Sequence, residues 1–322
     1  MLDPAFKFSQ HSLSDFVECP RRFYLKYIAR QPWPLVETGA MGLSPLEHQA
    51  YLWRGTVLHR WIERYWLGVP AQASGDAELS VWWARFLRTD FGDLPPQRMP
   101  ELALVAPLGD YLLYARFDLL ALPVQKPVDH RAQKPPDHPE TQMTQVKGRE
   151  ETGNHPERVE GRLPVSEQPV EGDRAVSEQR AVIIDWKTLR GERPPRYQVF
   201  ATRLQTRIYL YVLATAGAAF NAGLPFTPEQ CSMRYWLANF PEQPWVNVPY
   251  SAADYERDQQ QLLQLMHSAA TREGEDQYEQ TDDERRCATC TYLTLCRRKA
   301  PPVQVPAADQ WLDIEAAVEI DY

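Results

Sequence analysis

Three charged residues lie within apolar runs of the sequence and are candidates for chemistry. Asp185 and Lys187 end the apolar run 181–187, and Asp118 lies within a second run, 115–121. Residues i and i+2 of a strand project from the same face, so Asp185 and Lys187 would point together. Charges among large apolar residues are costly unless they are compensated. This cost argues against the simpler interpretation, an exposed sheet end with solvated charges.

A divalent cation would compensate these acids. Two carboxylates about 4 Å apart repel by roughly 4 kcal/mol at an effective dielectric of 20. An ion between Asp118 and Asp185 would turn that repulsion into a binding site, and oxygen ligands favour Mg²⁺ or Mn²⁺. Such an ion activates water and polarises a phosphodiester, while Lys187 would orient the water or neutralise transition-state charge. Glu101, which opens the preceding strand, and His59 are further candidates, although a single helical histidine is more often a packing or surface residue.

Contacts with nucleic acid are indicated by one helix face and by local basic clusters. Gln205 and Tyr209 lie four residues apart, a spacing suited to hydrogen bonding and stacking on a single strand, although alone they read as an ordinary helix face. The net charge of −8 argues against wrapping nucleic acid over the whole surface, but a local basic channel remains compatible with it. One basic cluster lies in the middle of the chain, and its alternative interpretation is an ordinary solvated face. It comprises Arg190, Arg193, Arg196, Arg203 and Arg207.

Four of the five cysteines form a candidate metal site. Cys287, Cys290 and Cys296 lie within ten residues, and Cys19 is near the other end of the chain. Four thiolates suit either an iron–sulfur cluster or a tetrahedral zinc site. The spacing moderately favours iron–sulfur, because structural zinc sites usually pair two short cysteine hairpins. Cys231 lies beside an apolar strand and is predicted to be a core residue.

The pattern of apolar residues predicts a mixture of helices and strands. The first thirty residues read as a helix that opens at Ser12 with a capping-box-like pattern to Asp15 and is interrupted near Cys19 by Pro20. Gly109-Asp110 suits the tight turn of a hairpin. The further predicted helices are 55–66, 80–89, 204–219 and 252–271, and the predicted strands are 102–108, 111–122, 181–186 and 233–237.

One long segment interrupts this pattern. Residues 124–179 are rich in Pro, Glu, Gln and Arg, contain imperfect duplications and show no apolar period. Such a segment cannot bury enough surface to offset its ordering entropy, so it is predicted to be a disordered insert. Residues 1–123 and 180–300 then form one domain, and 301–322 form an extended acidic tail. The sequence has no run of about 18 apolar residues and no basic-then-apolar start, which predicts a cytoplasmic protein.

The order of these motifs resembles the PD-(D/E)XK nuclease superfamily, specifically its RecB-like branch with an iron–sulfur cluster. That branch includes the AddB nuclease domain and the Cas-type exonucleases of CRISPR adaptation. The resemblance covers nearly the whole chain outside the insert and the tail. The motifs that carry it are Ser12-Leu13-Ser14-Asp15-Phe16, Cys19-Pro20-Arg21-Arg22-Phe23-Tyr24, Gly55 with His59, Glu101, Arg116-Phe117-Asp118, Asp185-Trp186-Lys187-Thr188, Gln205 with Tyr209, and Cys287 with Cys290 and Cys296.

This resemblance implies an α/β, restriction-endonuclease-like core, in which a mixed central sheet is flanked by helices and a metal cluster joins the N- and C-terminal segments. Asp185 stands where many relatives have Glu, which is a permitted variation. The implied roles are metal ligation by His59, Asp118 and Asp185, catalysis by Asp118, Asp185 and Lys187 assisted by Glu101, DNA contact by Gln205 and Tyr209, and ligation of a 4Fe-4S cluster by Cys19, Cys287, Cys290 and Cys296.

The function expected from this resemblance is that of a Mg²⁺- or Mn²⁺-dependent deoxyribonuclease, an exonuclease on single-stranded ends. It would serve DNA repair and recombination or CRISPR adaptation, beside a helicase or CRISPR-adaptation proteins. One alternative is a non-cleaving DNA-binding subunit of a helicase–nuclease complex, although the intact acid–lysine set argues against it. Another is a redox-sensing protein, for which the sequence gives no positive sign.

Overall fold

The computed structural model describes residues 2–32, 45–70, 74–123, 180–189, 191, 193–287 and 290–298. The predicted insert 124–179 and the predicted tail 301–322 lie outside these residues. Within the described ranges, no helix is both long enough and apolar enough to cross a membrane.

A six-stranded mixed sheet forms the centre of the molecule. Its strands are β1 (Lys7–Phe8), β2 (Gln97–Leu108), β3 (Tyr111–Leu122), β4 (Ala181–Lys187), β5 (Cys231–Leu237) and β6 (Trp245–Pro249). The order is β2-β3-β4-β5-β6, and β1 pairs with the start of β3. The β1–β3 and β4–β5 pairs are parallel, whereas the other pairs are antiparallel. The predicted mixed central sheet is thus confirmed, although β1 and β6 were not among the predicted strands.

Helices cover both faces of the sheet. They are α1 (Gln10–Glu18), α2 (Pro20–Phe23), α3 (Pro45–Trp66), α4 (Ala77–Arg88), α5 (Tyr197–Ala201), α6 (Leu204–Ala216) and α7 (Ala252–Ala270). The N-terminal helix breaks at Cys19, as the following proline predicts. Its predicted start at Ser12 was wrong, because Ser9 is the N-cap and Ser12 is the third helical residue of the same capping box. Helix α3 also begins ten residues before the predicted Gly55.

Two apolar cores, one on each face, hold the layers together. The larger core packs α6 and α7 against one face of the sheet, and the smaller core packs α3 and α4 against the other. In β4, Ile183 belongs to the larger core and Ile184 to the smaller. A strand buried on both faces needs a continuous apolar sequence. The run 181–187 therefore places its charged residues inside the protein.

The hairpin between β2 and β3 follows its predicted turn. Gly109 has a φ of 59°, a left-handed conformation that glycine adopts without a steric penalty. A Cβ atom at this position would lie 2.7 Å from Leu263 Cδ1. The turn fixes the register of the two long strands, and that register sets the position of Asp118.

Candidate active site

Three acidic residues occupy one row across adjacent strands. In the β2–β3 pair, Pro100 faces Leu119 and Leu102 faces Phe117, so Glu101 stands opposite Asp118. In the β3–β4 pair, the end pair is Leu119 with Ile184, and the next step of the same register sets Asp118 opposite Asp185. Cross-strand neighbours have Cβ atoms about 5 Å apart. The register therefore brings together acids that are far apart in sequence.

The strands change face at this row. Side chains two residues apart on a strand normally share a face, yet Phe117 lies in the larger core and Leu119 in the smaller. On the neighbouring strand Glu101 has a φ of 51°, a conformation that costs a non-glycine residue free energy and that clusters at functional sites. The switch places Asp118 where helices from both faces of the sheet can reach the acids.

His59 of α3 contacts the acids from the smaller core. Its Nε2–H donates to the carbonyl oxygen of Trp186 at 2.8 Å, and its Nδ1 lies 3.3 Å from Asp118 Oδ2. The same Asp118 oxygen accepts the Trp186 N–H at 3.0 Å. A neutral imidazole that donates through Nε2 carries its lone pair on Nδ1. Nδ1 thus lies beside the Asp118 carboxylate and, as the acceptor of a neutral ring, could share a cation with it.

Asp185 is held from the larger core by a cation and an amide. Lys187 Nζ lies 2.9 Å from Asp185 Oδ2, and these side chains are only 3% and 2% exposed. Gln205 of α6 donates from Nε2 to Asp185 Oδ1 at 2.7 Å. Removing charges from water is stabilising only when pairing and hydrogen bonds compensate for it. The predicted projection of Asp185 and Lys187 from one face is therefore realised as a direct ion pair.

Glu101 has an unusual protonation equilibrium. Burial and then the charge of Asp118 raise its pKa to about 7, and Arg116, whose Nε lies 3.3 Å from Glu101 Oε2, opposes the rise. Each unit of pKa shift corresponds to about 1.4 kcal/mol of differential interaction. Ionising all the acids of the row is thus unfavourable without an added positive charge.

The donor atoms of this row suit a hard divalent ion. Carboxylate oxygens of Asp118 and Asp185 are ligands that Mg²⁺ and Mn²⁺ prefer, and His59 can add a nitrogen. Within the described ranges, no three His, Cys, Asp or Glu side chains are arranged closely enough to enclose an ion. Mg²⁺ keeps several waters and needs only one or two protein carboxylates. The residues therefore fit such an ion, with solvent completing its coordination.

Gln205 and Tyr209, predicted to contact DNA, lie beside the acids and are largely buried. Gln205 is 7% exposed and Tyr209 is 5% exposed. The Tyr209 ring packs edge-on against Phe117, with 5.3 Å between the ring centroids. The direct contact that the structure gives Gln205 is to Asp185, which indicates that it positions this acid. Contact of the two residues with DNA stays a prediction.

Sequence reasoning missed Tyr235, whose ring faces the ammonium group of Lys187. Tyr235 of β5 pairs in register with Asp185, and Lys187 Nζ lies 6.0 Å from the centroid of its ring. Its hydroxyl is within 2.6 Å of Thr206 Oγ1 on α6. Burial, followed by the Asp185 charge, raises the pKa of Tyr235, so the ring stays neutral. Only the strand register, which no local pattern encodes, would have revealed this residue.

The four clustered cysteines gather at a second place. Cys19, Cys287, Cys290 and Cys296 line one cavity that is partly open to solvent. Cys231 lies apart, 1% exposed at the start of β5, as predicted for a core residue. No three thiols of the described chain are close enough together to hold a single ion.

The surroundings of this cavity oppose ionisation of the thiols unless positive charge is added. Burial raises the pKa of Cys290 and of Cys296, and charge at the neighbouring cysteines raises them further. Arg22, Arg286 and Arg298 also line the cavity, and Arg298 Nη1 donates to Cys287 Sγ at 3.4 Å. Four sulfur donors beside three cations fit the predicted iron–sulfur cluster chemically. Zinc remains the alternative on donor chemistry alone.

Known proteins provide an independent comparison. A model of the PD-(D/E)XK nuclease superfamily matches residues 7–297. Among curated proteins no match is found. A solved structure described as "Crystal structure of SSO0001" is similar at 12% sequence identity and a TM-score of 0.35, covering 92% of this chain and 88% of that one. A structural likeness this weak adds nothing to the argument. The family match, in contrast, spans most of the chain and includes every residue of the acidic row, and the chain therefore belongs to the PD-(D/E)XK nuclease superfamily.

Proposed function

We propose that this nuclease is a Mg²⁺- or Mn²⁺-dependent deoxyribonuclease that acts on single-stranded ends. The observation that carries the proposal is the buried Asp185–Lys187 ion pair, one register step from Asp118 and its His59 partner. Nucleases of this superfamily generally use Mg²⁺ or Mn²⁺. The proposed metal ligands are Asp118, Asp185 and His59.

Each proposed residue has a distinct task. A bound divalent ion would supply an activated water and a polarised phosphodiester. Lys187 holds a positive charge where the scissile phosphate gains negative charge, and Asp185 keeps that ammonium in place at 2.9 Å. His59 contacts Asp118 from the smaller core, and Gln205 of α6 donates a hydrogen bond to Asp185. Glu101, whose pKa is raised to about 7, is proposed to exchange protons with water at the edge of the site.

Cleavage assays on end-labelled DNA test this function. The wild-type protein is expected to shorten single-stranded DNA stepwise from an end when Mg²⁺ or Mn²⁺ is added, and to leave it intact in EDTA. Asp185→Ala and Lys187→Ala are each expected to abolish cleavage while the protein remains folded. Wild-type rates in both variants would show that the site is wrong. Binding of DNA without metal-dependent cleavage would instead favour the non-cleaving subunit.

We further propose that the four clustered cysteines hold a 4Fe-4S cluster and that the protein is of the RecB-like branch. Residues 1–123 and 180–300 would form one nuclease domain, which the cluster closes by linking Cys19 to the C-terminal segment. The role would be structural, because the cysteine cavity and the acidic row share no residue. A cytoplasmic location and a role in DNA repair or CRISPR adaptation, beside a helicase or adaptation proteins, complete the proposal.

Anaerobic purification with iron, sulfide and zinc analysis tests the cluster. The wild-type protein is expected to contain iron and sulfide in about equal amounts. Cys19→Ser should lose both, whereas the matched control Cys231→Ala should retain them, because Cys231 is buried outside the cavity. Stoichiometric zinc without iron would contradict the cluster proposal and leave the nuclease proposal standing.

A further inference from the structure

The chain leaves β4 immediately after Lys187 and crosses to α5, whose position is fixed by its last residues. Phe200 is fully buried and packs on Tyr235, with ring centroids 4.6 Å apart. Thr206 Oγ1 donates to the Phe200 carbonyl at 2.6 Å. Since Lys187 approaches the same Tyr235 ring, the end of α5 that carries Phe200 packs close to the acid–lysine pair.

Three side chains just before and at the start of α5 point into solvent. Arg193 and Arg196 are exposed, and Tyr197 is 45% exposed. Neither guanidinium makes an ion pair with a described residue, and neither is needed to neutralise a buried acid. In a protein with a net charge of −8, two unpaired cations beside an exposed aromatic ring are a local reversal of the overall charge.

The backbone that carries these side chains is stiff. Pro194 and Pro195 separate the two arginines, and Pro195 is buried. Arg196 has φ −66° and ψ 151°, which are polyproline II values. Arg193 and Arg196 lie three residues apart in the sequence, on either side of the two prolines. Proline fixes φ, so little entropy is lost when a ligand binds.

Two further cations lie close to the aromatic rings that anchor α5. Arg203 lies with its guanidinium carbon 4.8 Å from the Phe200 ring and 5.9 Å from the Tyr235 ring. Lys187 approaches the same Tyr235 ring at 6.0 Å. Two cations, Arg203 and Lys187, therefore approach the Tyr235 ring on which Phe200 of α5 packs.

We propose that Arg193, Arg196 and Tyr197 form a single-strand binding surface that leads DNA to Asp185 and Lys187. The arginines would pair with successive phosphates, and the Tyr197 ring would stack on a base, as aromatic rings in single-strand grooves do without sequence preference. The inference rests on the proposed function. It goes beyond that function by naming the surface that single-stranded DNA would cross to reach the site.

Salt-dependent binding in EDTA tests the surface without cleavage. The probe is a fluorescein-labelled oligothymidylate of more than about 16 nucleotides, the longest site that a single OB fold covers. Each phosphate contact in single-stranded DNA contributes about 0.7 to the slope of log K against log salt. Arg193→Gln/Arg196→Gln should therefore weaken binding and reduce the slope by about 1.4. Tyr197→Ala should weaken binding about 5- to 160-fold with an unchanged slope.

A matched double variant controls for net charge. Lys7→Gln/Arg30→Gln removes two exposed cations near β1. Lys7 pairs with Leu112, six residues along β3 from Asp118 and thus about 20 Å away. This control is expected to keep the wild-type slope. An unchanged slope in Arg193→Gln/Arg196→Gln, or an equal loss in the control, would overturn the inference.

The two proposals fail separately. If the wild-type protein cleaves DNA with Mg²⁺ but the arginine variant binds and cleaves normally, the surface is wrong and the nuclease function stands. If the arginines set the salt slope but no metal supports cleavage, the surface stands and the proposed function is wrong. Binding to a duplex of the same sequence that equals binding to the single strand would also overturn a single-strand surface.

Discussion

Two buried carboxylates, one on β4 and one on α7, are each held by a cation. Asp185 pairs with Lys187 at 2.9 Å. Asp258, on α7, is 0% exposed and accepts from Arg207 Nε at 2.7 Å. Burial and ion pairing alone would make both acids candidates for an active site.

Their partners distinguish them. Asp258 also accepts from the Tyr250 hydroxyl at 3.2 Å and lies 3.4 Å from Arg257, so both of its oxygens are bound by rigid, planar or aromatic donors. Asp185 is held by a flexible ammonium and by the amide of Gln205. Lysine is a compact charge on a flexible stem, whereas arginine binds carboxylates through a fixed fork.

Their neighbourhoods differ in the same way. Around Asp258, Arg207, Arg257 and the Tyr250 hydroxyl stand beside one further acid, Asp254, which pairs with Arg257, so two cations balance two carboxylates. Around Asp185 the register adds Asp118 and Glu101, and Glu101 has its pKa raised to about 7 by burial and by Asp118. Excess negative charge around Asp185 and balanced charge around Asp258 distinguish a site for a cation from a structural pair.

Isosteric substitutions at the two acids should separate activity from stability. Asp185→Asn is expected to lower kcat by about 10²–10³ because Lys187 and any bound ion lose their anion. Asp258→Asn should lower the free energy of unfolding by about 3–5 kcal/mol, the cost of breaking a buried pair. Its kcat per folded molecule should not change. Urea unfolding and cleavage rates normalised to the folded fraction measure both effects. A loss of kcat in Asp258→Asn as large as in Asp185→Asn would remove the distinction.

A double-mutant cycle should show what the Asp185–Lys187 pair contributes to folding. Lys187→Met leaves Asp185 buried without its cation, and it should destabilise the protein by about 3–5 kcal/mol. Asp185→Asn/Lys187→Met should recover much of this loss, because no unpaired charge remains, yet the double and the single variants should all keep a kcat at least about 10²-fold below wild type. Additive destabilisation in the double variant would mean that the two side chains do not interact in solution.

The pH dependence of stability should reveal the excess negative charge of the row. The pKa of Glu101 rises from 4.5 to about 7 on folding, so the folded state binds the extra proton and stability falls as pH increases from 4.5 to 7. Glu101→Gln removes this loss. With a side chain 31% exposed, the gain at pH 8 in EDTA should be about 1–2 kcal/mol after solvent screening, and near zero at pH 4.5. The exposed-acid control Glu256→Gln should show no such pH-dependent gain.

The elements that carry the acids were predictable because their signals are local. Strands β2 to β5 each have a run of apolar residues, and Gly109 marks the turn between two of them. The pattern of apolar residues does not predict β1, which has two residues, or β6, which is partly exposed. Both strands exist through pairing with neighbours that are distant in sequence.

The site itself was only partly predictable. Asp118, Asp185 and Lys187 stand out as charges in apolar runs, which is a local signal. The contacts of His59 with Trp186 and of Gln205 with Asp185 depend on how α3 and α6 pack on opposite faces. The change of face at Glu101 requires a positive φ in a residue other than glycine, and composition gives no hint of it.

Substitution of Gln205 is expected to have the smallest effect on activity. It distinguishes the predicted contact with DNA from the observed contact with Asp185. Gln205 donates to Asp185, and its Oε1 is buried without a hydrogen-bond partner in the described chain. If the residue positions the acid, Gln205→Leu should lower kcat about 10-fold, as supporting residues around metal ligands do, with little change in KM. If it contacts DNA, KM and the affinity for single strands should change instead. The control Gln260→Leu, at an exposed position of α7, should alter neither. A change confined to KM would indicate that Gln205 contacts DNA and that Lys187 alone positions Asp185.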